Sequence, residues 1–367
     1  MRLVITGGHI SPALSVIGNL PQDIEVFFIG RKSAFEGDSS ETLEYQIIKS
    51  LGIPFTPLPS SRFQRKFTSY TIPSLLKLPY VFFRTTRILK KIKPDVVLGF
   101  GGYVSFPVCV AAFFLKIPVV IHEQTLGAGL ANREISRWAK KVCISWRTSE
   151  EYFPKRKVVL TGNPLRKEIL ESKVESQKSK VPVIYITGGS AGSHFINELV
   201  AKSLPEILKN YTVIHQTGDS HVYNDFEKLS EIKNSLPSDL SKRYDLRKFT
   251  ENEDIGKVLA RATVVVGRAG MNTITELIYL KKPSVLIPLP ISADNEQLKN
   301  AIFAKEVGIS EVLEQSLLSS SKFVSTLKEM LKNIDSYKPA EGQGILIDKS
   351  APLHIISVVQ DVAKQEK

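Results

Sequence analysis

Short apolar runs rich in Val and Ile recur along the chain, each followed by a longer stretch whose apolar residues return every three or four positions. The runs are Leu3–Ile5, Ile24–Ile29, Val96–Phe100, Val119–Ile121, Val142–Ile144, Val183–Thr187, Thr212–Gln216, Thr263–Gly267 and Ser284–Pro288. Near-continuous apolar strands alternating with amphipathic helices are the pattern of a parallel sheet covered on both faces, which predicts an α/β fold. Between Glu168 and Val181 the pattern gives way to the charged stretch EILESKVESQKSKV, and a fresh strand begins at Val183. This reads as a linker, with a first domain over 1–165 and a second over 166–349. The amphipathic stretch Pro352 to Val362, within 350–367, reads as a closing helix; its docking partner stays open, the first domain being one candidate. Each domain opens with the same device, a strand running into a glycine-rich turn and a helix: LVITGGHISPALSVIGNL and VIYITGGSAGSHFINELV. Two Rossmann-like domains with parallel sheets facing a cleft are the economical reading.

Composition narrows the setting. The 367 residues suffice for two domains, and 43% apolar with 23% charged residues excludes wholesale disorder. Cys109 and Cys143 lie in apolar stretches without CxxC spacing, which excludes a disulfide scaffold and a Cys-ligated zinc and fits a reduced, cytoplasmic setting. Glycines arrive before any apolar stretch of signal-peptide length, and the longest apolar run, Phe106 to Leu115, falls short of the ~20 residues of a spanning helix. Neither export nor a membrane-spanning segment is expected.

Charge adds a partner class. Lys and Arg number 49 against 37 Asp and Glu, a net +12, which points to a phosphate-rich substrate, a nucleic acid or an anionic membrane face. Nine of the basic residues fall in Arg62 to Pro94 with no acidic residue among them, interleaved with Ile72, Leu75, Leu76, Leu78, Tyr80, Val81, Phe82 and Phe83. Aromatic and aliphatic groups beside cations suit an anionic interface. A core helix with a solvated basic face gives the same pattern. No RNA- or DNA-binding motif accompanies the charge, so nucleic acid is not the expected partner.

Four glycine turns follow strands: TGGHIS (6–11), GFGGYVS (99–105), TGGSAGS (187–193) and GRAGMNT (267–273). Such turns let backbone approach a ligand while a helix N-terminus presents N–H donors, so phosphate is the expected guest; each turn could equally be structural. None is GxGxxG with a ribose-binding acid ~20 residues on, and none carries GK[ST], which argues against hydride transfer and ATP hydrolysis. In GRAGMNTITEL, Thr273 is positioned to cap the helix and Glu276 is expected in its first turn, either as a dipole-compensating acid or as a ribose ligand. Asp294, Asn295, Glu296 and Gln297 form a polar cluster after a strand, suited to a sugar or to a loop with a helix cap.

Taken in order, TGGHISPAL (6–14), GFGGYVSFP (99–107), IHEQ (121–124), GLANR (129–133), GNPLR (162–166), GGSAGS (188–193), HQTG (215–218), RAGMNTITEL (268–277) and ADNEQLKNA (293–301) resemble glycosyltransferase family 28, which has the GT-B fold. The resemblance implies inverting transfer of N-acetylglucosamine from UDP-N-acetylglucosamine to the 4-hydroxyl of muramic acid in an undecaprenyl-diphosphate-linked precursor of peptidoglycan. It implies a peripheral protein at the cytoplasmic face of the cell membrane, with no cofactor and no DxD-bound metal. Carried over by residue, it implies Ser190 and Arg166 near the donor diphosphate, Met271, Asn272, Thr273, Ile274 and Thr275 as a backbone cradle, Glu276 at the ribose, Thr250 at the uracil edge and Gln297 at the sugar hydroxyls. His9 with Gly7 and Gly8 would face the reacting carbon, Thr6, Gly7, Gly8 and Thr125 would belong to the donor site, and Gly101, Gly102 and Tyr103 would lie near the acceptor diphosphate. Three positions depart from the family pattern. The first turn lacks an extra glycine pair, Thr125 stands where Asn is usual, and Glu296 replaces a common His.

Inverting displacement needs a base for the acceptor hydroxyl and a stabiliser for departing UDP. His9 is the expected base because imidazole titrates near neutrality; Glu123 is its rival, and a purely structural bond from His9 to the loop is the other reading. Leaving-group charge would fall on helix N-termini, helped by Arg166 or Arg268.

Overall fold

A computed structural model of the protein describes residues 1–32, 41–58, 78–172, 181–189, 192–220, 222–339 and 347–365. Two compact units emerge, Met1–Arg166 with Asp348–Lys367, and Lys167–Ile347. Each is built on one parallel sheet.

In unit 1 the strands are β1 (Arg2–Thr6), β2 (Glu25–Gly30), β3 (Phe55–Pro57), β4 (Val96–Gly99), β5 (Val119–Glu123), β6 (Lys141–Ile144) and β7 (Val158–Leu160), in the order β3-β2-β1-β4-β5-β6-β7. Its helices are α1 (Ile10–Ile17), α2 (Leu43–Ser50), α3 (Leu78–Ile92), α4 (Gly102–Phe114) and α5 (Leu130–Ser136). Unit 2 carries β8 (Val183–Thr187), β9 (Thr212–Gln216), β10 (Tyr244–Arg247), β11 (Val264–Gly267), β12 (Ser284–Leu286) and β13 (Ser310–Val312), in the order β10-β9-β8-β11-β12-β13. Its helices are α6 (Lys167–Leu170), α7 (His194–Leu208), α8 (Asp225–Ser235), α9 (Ser238–Ser241), α10 (Asn252–Arg261), α11 (Met271–Tyr279), α12 (Glu296–Glu306) and α13 (Ser320–Lys332). The chain then returns to unit 1 with α14 (Ala351–Gln365).

Side chains of a strand alternate between faces, so burying both faces requires apolar residues in succession. β1 does this. Leu3 and Ile5 pack with Ala13 and Val16 of α1, Ile48 of α2 and Ile355 and Val359 of α14, whereas Val4 between them packs with Leu89 of α3, Val108 of α4 and Ile135 of α5. In unit 2, Ile184, Ile186, Val264 and Val266 pack against α7 and α13 residues such as Val200, Leu204, Phe323 and Leu327, while Tyr185 and Val265 are buried on the opposite face.

All nine expected strands are present. The four that the apolar pattern did not announce, β3, β7, β10 and β13, are the edges of the two sheets. Edge strands have a neighbour on one side only; here they are three or four residues long, and FTP, YDLR and SEV carry no apolar run, while β7 is the apolar but three-residue VVL with Leu160 exposed. In both units the connectivity reverses direction between two central strands, β1 and β4 in one and β8 and β11 in the other. Such switch points leave a crevice at the carboxyl ends of the strands, and all four glycine turns lie there.

Candidate active site

In unit 1 the first two glycine turns are tied together because β1 and β4 are neighbours. Phe100 N–H donates to Thr6 O (2.7 Å) and Gly8 N–H to Gly101 O (3.0 Å). Gly7 cannot be exchanged freely: a Cβ there would stand 2.7 Å from Phe100 Cβ. Thr6 is fully buried and its hydroxyl has no partner among the described residues. Gly101 and Gly102 form the turn into α4, and the Tyr103 side chain just after them is 51% exposed.

His9 is the N-cap residue of α1, in an extended conformation, and its side chain makes no capping hydrogen bond. Among the described residues the imidazole is thus not spent on the loop, although the residue is open to solvent. Exposed at its surface yet crowded by surrounding protein atoms, it is desolvated enough to hold its pKa below the ordinary imidazole value, while the charge of Glu123 pulls it upward.

Glu123 ends β5, buried. Its Oε1 accepts from Thr125 N–H (3.0 Å) and Thr125 Oγ1 (2.7 Å), and its Oε2 from Gly129 N–H (2.9 Å) and Asn132 Nδ2 (3.0 Å). A carboxylate offers about four lone-pair positions, and four donors occupy them. Thr125, expected to meet substrate, instead turns both its N–H and its hydroxyl to Glu123; a hydroxyl suffices for that bond. Asn132 was not singled out, though it stands in the GLANR motif, and its Nδ2 also donates to His122 O (3.0 Å). Beside them His122 is buried, with Nε2 against Ser145 Oγ (3.1 Å) and Gly162 O (3.2 Å) and with Nδ1 unpartnered. Burial lowers its pKa to about 4.

In unit 2, the turn after β8 ends at Ser193, the N-cap residue of α7. Gly192 has φ +73°, and a Cβ there would fall on the Thr217 carbonyl oxygen, so both conformation and space demand glycine. Ser190 lies outside the described residues. Arg268, in the turn after β11, donates to Ser193 Oγ (2.7 Å) and Ile287 O (3.0 Å). Burial lowers its pKa, and no carboxylate pairs with it among the described residues. A cation held by neutral groups beside the N-terminus of α7 and just before that of α11 is a strong electrostatic invitation to an anion.

The GRAGMNT turn differs in detail from expectation. The helix begins at Met271 with Gly270 as N-cap residue and no side-chain cap, so Thr273 lies inside the first turn. Glu276 falls in the second turn, buried, and the first turn has no acidic residue. Ile274 N–H already donates to Gly270 O (3.0 Å), and Thr275 follows it within the helix, its hydroxyl on Met271 O (2.8 Å). An anion is left with the N–H groups that precede Ile274, so the five-residue cradle contracts toward Met271, Asn272 and Thr273. Thr250, after β10, donates its N–H to Gln216 Oε1 (3.1 Å), and its buried hydroxyl has no partner among the described residues. Gln297 accepts Leu289 N–H on its Oε1 (3.0 Å), leaving its NH2 to face a ligand. Asp294 and Asn295 adopt left-handed conformations that turn the chain into α12. Arg166 closes the first stretch of unit 1, which also holds Thr6, Gly7, Gly8 and Thr125, whereas the other expected donor residues belong to unit 2.

Segment 62–77 lies outside the described residues. The rest of the basic stretch forms α3, which exposes Tyr80 (58%) and Phe83 (70%) and ends on Lys90 and Lys91. Against it, α4 exposes Phe113 and Phe114; Phe114 meets Phe82 edge to face at 5.6 Å and Phe113 meets Trp138 at 5.2 Å. No helix among the described residues is long and apolar enough to cross a membrane, and no group of three or more His, Cys, Asp or Glu there could hold a metal ion.

The glycosyltransferase family 28 N-terminal domain matches residues 6–144 and the family 28 C-terminal domain matches residues 183–351. A protein of Lachnoclostridium phytofermentans named UDP-N-acetylglucosamine--N-acetylmuramyl-(pentapeptide) pyrophosphoryl-undecaprenol N-acetylglucosamine transferase is 33% identical over 376 residues, covering 98% of this chain and 99% of its own. Among solved structures, Acinetobacter baumannii MurG superposes with a TM-score of 0.68 at 26% identity, covering 98% of this chain and 99% of that one. The UDP-GlcNAc 2-epimerase of Neisseria meningitidis, bound to UDP-GlcNAc, has a TM-score of 0.65 at 16% identity over 98% of this chain and all of its own, a likeness of fold alone.

Proposed function

The chain belongs to glycosyltransferase family 28, and on that premise we propose that it transfers N-acetylglucosamine from UDP-N-acetylglucosamine to the muramyl 4-hydroxyl of undecaprenyl-diphosphate-linked muramyl pentapeptide, with inversion, in peptidoglycan synthesis. The observation that carries this reading is near-full-length identity to relatives named for that transfer. The epimerase likeness is one of fold and does not compete with it.

His9 serves as general base. It is open to solvent and uncommitted as a cap, and its lowered pKa keeps it neutral, and so able to accept a proton, at pH 7. Glu123, with four donors on its carboxylate, positions the loop that carries Thr125 and Gly129 and lends His9 a negative neighbour. Departing UDP meets the N-termini of α7 and α11 and the Arg268 guanidinium, a fixed positive arrangement that supplies charge stabilisation without a bound metal. Thr250 reads the base, Glu276 the ribose and Gln297 the sugar. The exposed aromatics of α3 and α4, with the basic residues around them, rest on the anionic cytoplasmic face of the membrane that carries the acceptor.

The test is UDP release from UDP-N-acetylglucosamine with and without the undecaprenyl-linked acceptor. Acceptor-dependent release that survives EDTA is the expected outcome. Sugar interconversion without acceptor identifies an epimerase instead, and inertness with salt-sensitive nucleic-acid binding identifies neither.

A further inference from the structure

Gln216 ends β9 as a buried amide whose contacts join three separate segments of unit 2. Its Oε1 accepts from Tyr185 Oη on β8 (3.0 Å) and from Thr250 N–H after β10 (3.1 Å), while its Nε2 donates to Gly189 O in the turn after β8 (3.1 Å). A side-chain amide accepts and donates at once through one rigid plane, and Asn is a methylene too short to keep the same reach. Gly189 is further fixed by its N–H on Thr187 Oγ1 (3.0 Å), with φ +83°.

We propose that Gln216 is a positioning residue of the donor site, setting the diphosphate turn and the base-reading segment in register with one another. This rests on the reading of unit 2 as the UDP-sugar-binding unit. The physical reason lies in the carbonyl of Gly189. A turn that holds an anion works through its N–H groups, and a carbonyl oxygen rotated toward the anion repels it. Gly189 O already accepts Gly192 N–H across the turn (3.1 Å), and Gln216 Nε2, as its second donor, ties that carbonyl and the turn to β9. The Oε1 atom of the same amide fixes the backbone of Thr250, the residue that the family resemblance sets at the uracil edge. A single side chain therefore sets the spacing between the two ends of a nucleoside diphosphate.

Gln216→Leu removes all three bonds at similar size. It is expected to raise the KM for UDP-N-acetylglucosamine and the calorimetric Kd for UDP about tenfold, with the acceptor KM moving less than about twofold. Gln216→Glu retains the oxygen that Tyr185 and Thr250 donate to but sets a second oxygen against Gly189 O. The same split is expected, and this variant decides the matter if the Leu variant does not fold. Variants that bind UDP like wild type, or that lose donor and acceptor alike, or whose only change is a lower melting temperature, overturn the inference while wild-type acceptor-dependent UDP release keeps the transferase reading intact. A wild type that neither binds nor releases UDP overturns both.

Discussion

The two units share a strand order and a pair of glycine turns at the same switch point, yet they surround those turns with different chemistry. In unit 1 the neighbours are groups that exchange protons: His9, His122 with an unpartnered Nδ1, and Glu123. In unit 2 they are a guanidinium and amides, Arg268, Gln216 and Asn197, together with His194, which directly follows the first turn and is tied through Nδ1 to Asp225 Oδ1 (2.8 Å). The buried histidine there, His215, is spent at both nitrogens, on Tyr244 Oη (2.9 Å) and Asn197 Oδ1 (3.1 Å), so it braces strands and has no nitrogen left for chemistry. The same scaffold thus carries an imidazole uncommitted as a cap beside its turns in one copy and a guanidinium in the other. What separates them is a handful of side chains at strand ends.

The sharpest way to break this contrast is at His9. His9→Ala is expected to lower turnover with the lipid acceptor by about 10²-fold or more, in the range of general-base catalysis, with UDP affinity intact. A change within about threefold, under ~1 kcal/mol of barrier, means that proton transfer lies elsewhere. The next effect falls on stability in unit 2. Gly192→Ala forces a Cβ onto the Thr217 carbonyl in a left-handed conformation, and a cost of about 2–4 kcal/mol is expected in denaturant melts. Gly8→Ala in unit 1, whose Cβ would find Gly102 Cα at 3.8 Å, should cost far less. Arg268→Gln keeps a polar group near Ser193 but removes the charge, and about a tenfold weaker Kd for UDP by calorimetry is expected. An unchanged Kd removes charge holding from unit 2.

The smallest effect is a shift in a pH profile. The base form of His9 is neutral and its pKa lies below the ordinary 6.5, so kcat/KM should stay flat on acidification through neutrality and fall only below about 6.5. Glu123 raises that pKa, so Glu123→Gln should move the acid limb to lower pH; a limb that stays put or moves up separates the two residues.

Much of this was legible beforehand, and the reasons differ by feature. Central strands such as Val183–Thr187 announce themselves because burial on two faces leaves no room for polar residues. Edge strands such as Tyr244–Arg247 are polar, because an edge tolerates solvent. The glycine turns were visible for the same reason that Gly192 is irreplaceable, since few backbones bend so tightly. The partners of the turn residues were not visible. Thr125 read as a ligand-facing residue because its donors and acceptors could be counted from sequence, whereas its direction toward Glu123 depends on how the loop after β5 folds back. Glu276 was placed a turn too early because a cap was assigned to Thr273, and the helix starts on a bare Gly270. Gln216 and Asn132 stood in quoted motifs, but a bridging amide is recognisable only once the strands it joins are set side by side.

The return of α14 to unit 1 has a consequence for how the protein is made. Ile355, Ile356, Val359 and Val362 fill one face of the sheet that begins with β1, yet they are synthesised after the whole of unit 2. Unit 2 is a single continuous segment, all of it synthesised before α14. Unit 1, though it emerges first, must wait with one flank of its sheet uncovered, so the half that bears the proposed base is the last to become whole.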